Sequence, residues 1–133
     1  MTAKNYDLEE RTAQFGEAMI KLAQKTPKTG ITAPLINQMV RSGTSVGANY
    51  CEAGGAESRN DFEHKISICA KEIKESKHWL RMLAMAAPTL QDDARVLWKE
   101  ASELNLIFSA ILRTSKANKI KQAMAPVEHS INL

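Results

Sequence analysis

The feature that most constrains this chain is the return of apolar residues every three or four positions, with no sustained two-residue alternation. This spacing places apolar side chains on one face of a helix, whereas a half-buried strand requires a period of two. Four such stretches occur, and short segments containing Pro, Gly or Ser separate them. The pattern predicts an all-α fold, an antiparallel up-down-up-down four-helix bundle.

Caps and helix breakers predict where the helices begin and end. Asp7 followed by Glu10 resembles a capping box and predicts the first helix, which Pro27 ends. The second helix is expected from near Thr32 to Gly54.

Ser58 with Asp61 predicts the start of the third helix, which Pro88 ends, and Thr89 with Asp92 opens the fourth. From Ser115 the apolar pattern fades, and Pro126 is expected to block further helix. We therefore expect a bundle over residues 6–116 and a basic, frayed or disordered tail over 117–133.

Composition fits one small soluble domain. The chain has 133 residues, 44% of them hydrophobic, and a net charge of +3. No apolar run approaches the roughly 18–20 residues that span a bilayer, and the first ten residues are polar. Cys51 and Cys69 lack CxxC spacing. These observations predict a cytoplasmic protein with reduced thiols and no membrane contact.

Small residues are dense in the second helix, which contains Gly43, Gly47 and Ala48 close together. Each glycine costs a helix roughly 1 kcal/mol relative to alanine. The compensation that we expect is the close approach of a neighbouring helix.

The third helix carries a basic stripe roughly opposite its apolar face. Its members are Lys71, Lys74, Lys77, His78 and Arg81. Further cations in the last helix and tail extend it: Arg113, Lys116, Lys119 and Lys121. One interpretation is a phosphate-binding surface, and the other is a solvated face whose charge Glu72 and Glu75 partly offset.

A second apolar flank on the same helix contains Ile68, Trp79, Met82 and Ala86. It predicts either a subunit interface, which the tryptophan favours, or a wide bundle core.

The second helix combines polar residues that a simple bundle does not need: Arg41, Ser45, Asn49 and Glu52. Arg41 and Glu52 are roughly 16 Å apart along the helix, so each is expected to find a partner on another helix or subunit. A polar network that specifies packing is the favoured interpretation over a ligand site.

Catalytic patterns are weak. The pairs Glu75/His78 and Asp61/His64 lie on one helix outside its apolar face, whereas a di-iron bundle needs inward ligands from several helices. Gly43 to Gly47 match GxSxG, but they lie inside a predicted helix, whereas a nucleophile elbow needs a strand-to-helix turn, and there is no phosphate-binding loop. We therefore expect no enzyme activity, no metal and no cofactor.

Two stretches, residues 41–58 and 61–80, resemble the second- and third-helix signatures of the bacterial four helix bundle protein family. That family includes proteins encoded in intervening sequences of 23S rRNA genes and is similar to accessory proteins of diversity-generating retroelements. The resemblance covers about residues 6–115.

The resemblance implies a four-helix bundle, a ring-shaped homopentamer and no enzyme activity. Its recurrent positions fall here on Arg41, Ser45, Asn49 and Glu52, and Trp79 would meet a neighbouring subunit. Its retroelement relatives imply binding to RNA or DNA through a basic surface. The competing hypothesis is a scaffold for protein–protein interaction that binds no nucleic acid.

Overall fold

The structure is a computed structural model that describes residues 7–132, with side chains described through Met124. Its helices are α1 (Leu8–Lys25), α2 (Thr32–Gly54), α3 (Arg59–Ala86) and α4 (Gln91–Asn132). A short 3-10 turn, Pro88–Leu90, precedes α4. Consecutive helices pack antiparallel and α1 closes against α4, so the predicted all-α four-helix bundle is confirmed.

Two of the three predicted caps form, and Thr89 lies instead within the 3-10 turn that precedes α4. The Asp7 carboxylate accepts a hydrogen bond from the backbone N–H of Glu10 at 3.3 Å, and Ser58 Oγ accepts from the N–H of Asp61 at 3.0 Å. Each satisfies an N–H group that has no partner inside its own helix. The starts of α1 and α3 were therefore predictable from local sequence.

The core lies between the four apolar faces. Its largest fully buried side chains include Phe15 and Met19 of α1, Met39 of α2, Ile73 of α3 and Phe108 of α4. These residues belong to the three-and-four spacing seen in the sequence.

The glycines of α2 allow close contact with α1, as expected. A Cβ placed on Gly43 would lie 2.6 Å from Met19 Cγ, and one on Gly47 would lie 3.4 Å from the carbonyl carbon of Thr12. Real Cβ atoms do not approach as closely as 2.6 Å. The missing side chain at Gly43 therefore sets the separation of the two helices.

The end of α4 differs from the expectation. The helix continues through Pro126 to Asn132, so the prediction that this proline blocks the helix is wrong. A proline weakens a helix by about 3 kcal/mol but can remain inside one. Every described side chain from Lys116 to Met124 is exposed. The division into a bundle and a tail at 116/117 stays a prediction.

Candidate nucleic-acid interface

Acidic and basic side chains leave α3 on different sides. Glu72 and Glu75 turn toward α2, where both bind the guanidinium of Arg41. Arg41 Nη1 lies 3.1 Å from the nearer Glu72 oxygen, and Nη2 contacts Glu75. These hydrogen bonds raise the pKa of Arg41, chiefly through Glu75. The two carboxylates therefore pair with α2 rather than with the lysines of their own helix.

The basic stripe of α3 faces solvent. Lys71, Lys74 and Arg81 are exposed, and none of them forms an ion pair with a carboxylate among the described residues. Lys77 is half-buried because its Nζ lies over the ring of Trp98, 4.3 Å from the ring centroid. The stripe therefore presents cations that internal pairing does not neutralise.

Arg81 also lines a groove between α3 and α4, which we call the Trp98 groove and which has a volume of about 440 Å³. Its lining residues are Leu80, Arg81, Ala84, Gln91, Ala94, Arg95, Trp98 and Lys99. The Trp98 side chain is 41% exposed. Sequence reasoning missed this site because it considered one helix at a time, although Arg95, Trp98 and Lys99 share one face of α4.

The second group of predicted cations lies at the other end of α3. Lys119 of α4 pairs with Glu63 at 3.2 Å and also contacts Asn60, while Ser115 Oγ donates to Glu63 at 2.7 Å. The hydrogen bond from Ser115, followed by that from Lys119, lowers the pKa of Glu63. Glu63 precedes Lys71 by about 12 Å of helix.

The other cations of this group, Arg113, Lys116 and Lys121, are exposed. The eight lysines and arginines predicted to bind nucleic acid thus form two groups rather than one patch.

The polar residues of α2 are satisfied within the chain. Ser45 Oγ donates to the carbonyl of Arg41 at 2.7 Å, and the Asn49 amide donates to the carbonyl of Ser45 at 2.9 Å. Glu52 accepts from Lys65 Nζ of α3 at 2.6 Å, which raises the pKa of Lys65. The expectation that Arg41 and Glu52 find partners on another helix is met, since both partners lie on α3. Their assembly role stays a prediction.

The second apolar flank of α3 is half-buried along its length. Its members are Ile68, Trp79, Met82 and Ala86. Trp79 packs against the core of its own bundle, and its Nε1 is buried without a hydrogen-bond partner in the part of the chain that the structure describes. Its ring also meets that of His78 edge to face at 4.9 Å. Packing within the chain accounts for part of this flank, and the subunit interface stays a prediction.

A larger groove opens between α1 and α4 near the start of α1. Its volume is about 900 Å³, and its apolar lining includes Leu8, Phe62, Leu106 and Ile107. The Leu106 side chain is 69% exposed. At its edge, Arg11 binds Glu100 of α4 through two hydrogen bonds of 2.7 and 2.8 Å.

Comparison with known proteins decides the family. Residues 4–110 match the model of the 23S rRNA-intervening sequence protein family. The chain belongs to this family. No curated protein matches it.

One similar solved structure is a protein of unknown function from the S23 ribosomal protein family of Bacteroides thetaiotaomicron. It is 27% identical to this chain with a TM-score of 0.70, and the match covers 78% of this chain and 96% of that one. The relationship seen in residues 41–58 and 61–80 is therefore confirmed at the level of family and fold.

The thiols of this family member differ in environment. Cys69 is buried, its Sγ donates to the carbonyl of Val46 at 3.5 Å, and burial raises its pKa to about 12. Cys51 is exposed. Both thiols are free. A nucleophilic cysteine needs a lowered pKa, whereas the pKa of Cys69 is raised.

Over the described residues, no cluster of three or more His, Cys, Asp or Glu could hold a metal ion. No helix in the same part of the chain is long and apolar enough to cross a membrane. The absence of enzyme activity stays a prediction.

Proposed function

We propose that this chain is a non-catalytic, cytoplasmic RNA-associated protein that binds through the basic stripe of α3. The observation that carries the proposal is the separation of charge on α3. Arg41 holds Glu72 and Glu75 on the α2 side, while Lys71 and Lys74 project into solvent. A face with one sign of charge attracts a polyanion far more strongly than a mixed one.

The stripe has the geometry of a phosphate-binding surface. Successive cations at spacings of three and four residues lie about 4.5–6 Å apart along the helix axis, so one strand can contact several of them through its phosphates. Each phosphate contact releases condensed counterions, so binding by this surface weakens steeply as salt concentration rises.

The test is the double charge reversal Lys71→Glu/Lys74→Glu, which leaves the Trp98 groove intact. RNA affinity, measured by fluorescence anisotropy with a labelled mixed-sequence RNA, is expected to fall at least about tenfold. The slope of log affinity against log salt is expected to become shallower by about two, one for each lost phosphate contact.

The control is Lys21→Glu/Lys28→Glu, which changes the net charge equally at exposed positions of α1 and the loop after it. Screening over a Debye length of about 8–10 Å should confine its effect to a small loss. If both variants lose the same RNA affinity, the stripe acts only through the net charge of the protein and is not the binding surface. No RNA binding by the unmodified protein at low salt would overturn the proposal.

The second candidate function is a protein-interaction scaffold, and the apolar groove that contains Leu106 favours it. Exposed apolar surface of this kind is typical of interfaces. We propose that copies of the chain associate, with the homopentamer implied by the family resemblance as the expected state. Light scattering with and without RNA measures the mass of the assembly in solution. An oligomer that ignores RNA at every salt concentration would favour the scaffold.

A further inference from the structure

We propose that the Trp98 groove binds an unpaired nucleotide, with its base stacked on the Trp98 indole and its phosphates on Arg81, Arg95 and Lys99. This inference rests on the proposed RNA association but concerns a separate set of side chains. It also states which form of RNA the chain prefers, namely single-stranded RNA.

The first argument is the chemistry of the lining. Three cations, from both α3 and α4, surround one groove, and no Asp or Glu lines it in the described part of the chain. Asp93, in the first turn of α4, pairs instead with Lys25 of α1 at 2.9 Å. The groove therefore combines positive charge with an apolar floor of Leu80 and Ala84, which suits a ligand that is anionic at one end and flat at the other.

The second argument is the state of Trp98. Tryptophan side chains are highly buried on average, yet 41% of this one is accessible. The Lys77 ammonium lies over its ring, 4.3 Å from the centroid. A cation held over an exposed ring is weakly bound. A base can therefore compete with Lys77 for the indole by stacking on the exposed part of the ring in the groove, and Lys77 is close enough to contact a neighbouring phosphate.

The third argument is continuity with the basic stripe. Lys74, Lys77 and Arg81 follow one another at spacings of three and four residues, so they lie along one side of α3. Arg81 is the member that also lines the groove. A strand that follows the stripe through its phosphates is thus led to the indole, where a base can turn inward. Cationic tracks with interspersed aromatic side chains are typical of single-strand binding.

The experiment compares Trp98→Leu with the unmodified protein. The probes are a labelled single-stranded oligouridylate of about ten nucleotides and a fully paired RNA duplex. Leucine keeps apolar contact with the groove floor but removes the aromatic face. Affinity for the oligouridylate is expected to fall about tenfold, with duplex affinity and the salt slope unchanged, because stacking releases no counterions.

Intrinsic fluorescence gives a second readout, because the chain has only two tryptophans. In Trp79→Phe the remaining tryptophan is Trp98, whose emission is expected to be quenched by the oligouridylate. In Trp98→Leu the remaining tryptophan is Trp79, whose emission is expected to stay constant. Far-UV circular dichroism checks that both variants fold. If Trp79→Phe does not fold, the affinities of Trp98→Leu and the unmodified protein decide whether the nucleotide site exists.

The outcomes separate the two proposals. If Lys71→Glu/Lys74→Glu weakens RNA binding and Trp98→Leu does not, the nucleotide site is refuted and RNA association through the stripe survives. The site is also refuted if Trp98→Leu lowers the affinity for the single strand and the affinity for the duplex by the same factor. If the unmodified protein binds neither probe at low salt, both proposals fall.

Discussion

α2 and α3 each carry residues that a plain bundle helix does not need, but the two helices use them differently. Gly43 and Gly47 of α2 fit against α1, while its charged residues bind α3: Arg41 pairs with two carboxylates and Glu52 with one lysine. The outward cations of α3, Lys71 and Lys74, have no such partner among the described residues. An unusual residue whose partner lies inside the chain is explained by folding, whereas one that faces solvent is available for binding.

The comparison predicts that substitutions where α2 packs on α1 change stability and leave the RNA affinity of the folded protein unaltered. The largest effect is expected from Gly43→Ala, because its Cβ would lie 2.6 Å from the fully buried Met19. Overpacking of this kind lowers the free energy of unfolding by about 1–3 kcal/mol. Urea denaturation followed by circular dichroism measures the loss.

Gly54→Ala is the matched control, since nothing lies within 4 Å of its Cβ position and its backbone has no positive φ. It is expected to be neutral or to stabilise by up to about 1 kcal/mol. Equal stability of the two variants, or a loss of RNA affinity in correctly folded Gly43→Ala protein, would break the comparison.

A smaller effect is expected from the ion pair that holds the acids of α3 on its α2 side. A double-mutant cycle with Arg41→Met and Glu75→Gln should give a coupling free energy of about 0.2–1 kcal/mol, since the Arg41 side chain is 44% exposed. The coupling should shrink at high salt. A value near zero in dilute buffer would show that this pair does not hold α2 to α3.

The smallest effect is expected at Glu63, where α3 does use internal partners. Ser115 and Lys119 lower its pKa, so this contribution to stability is present above the carboxylate's ordinary pKa and is lost as pH falls through the lower folded value. Glu63→Gln should therefore be less stable than the unmodified protein at neutral pH, with the gap closing in acid. Urea denaturation at about pH 7 and about pH 3 measures it.

Glu57→Gln serves as the control because Glu57 is exposed in the loop before α3. Its difference from the unmodified protein should be small and should not depend on pH in this way. A gap for Glu63→Gln that stays constant with pH would show that the pairing with Ser115 and Lys119 contributes nothing to stability.

Local sequence predicted much of the fold. The caps at Asp7 and Ser58 and the breaks near Pro27 and Gly54 fall where the helices begin and end. The same reasoning failed at Pro126, because a proline's cost to a helix is finite and α4 continues past it. A local penalty gives a preference, and it does not by itself fix where a helix ends.

The candidate site was predicted only in part. A helical wheel placed Lys71, Lys74 and Arg81 on one exposed stripe, which the structure contains. It grouped Lys119 with them, although that side chain binds Glu63 at the other end of α3. It also gave no reason to consider Trp98, whose basic surroundings come from two helices.

The sequence by itself determined the presence of four helices, the caps of α1 and α3 and the faces that the helices bury, because these depend on hydrogen bonds and side-chain spacing within a few residues. Only the tertiary structure decided that Arg41 binds Glu72 and Glu75, and that Arg81 of α3 and Lys99 of α4 meet around Trp98. Those encounters depend on the register and separation of packed helices. That separation is set by contacts such as Gly43 against Met19, between residues far apart in the chain.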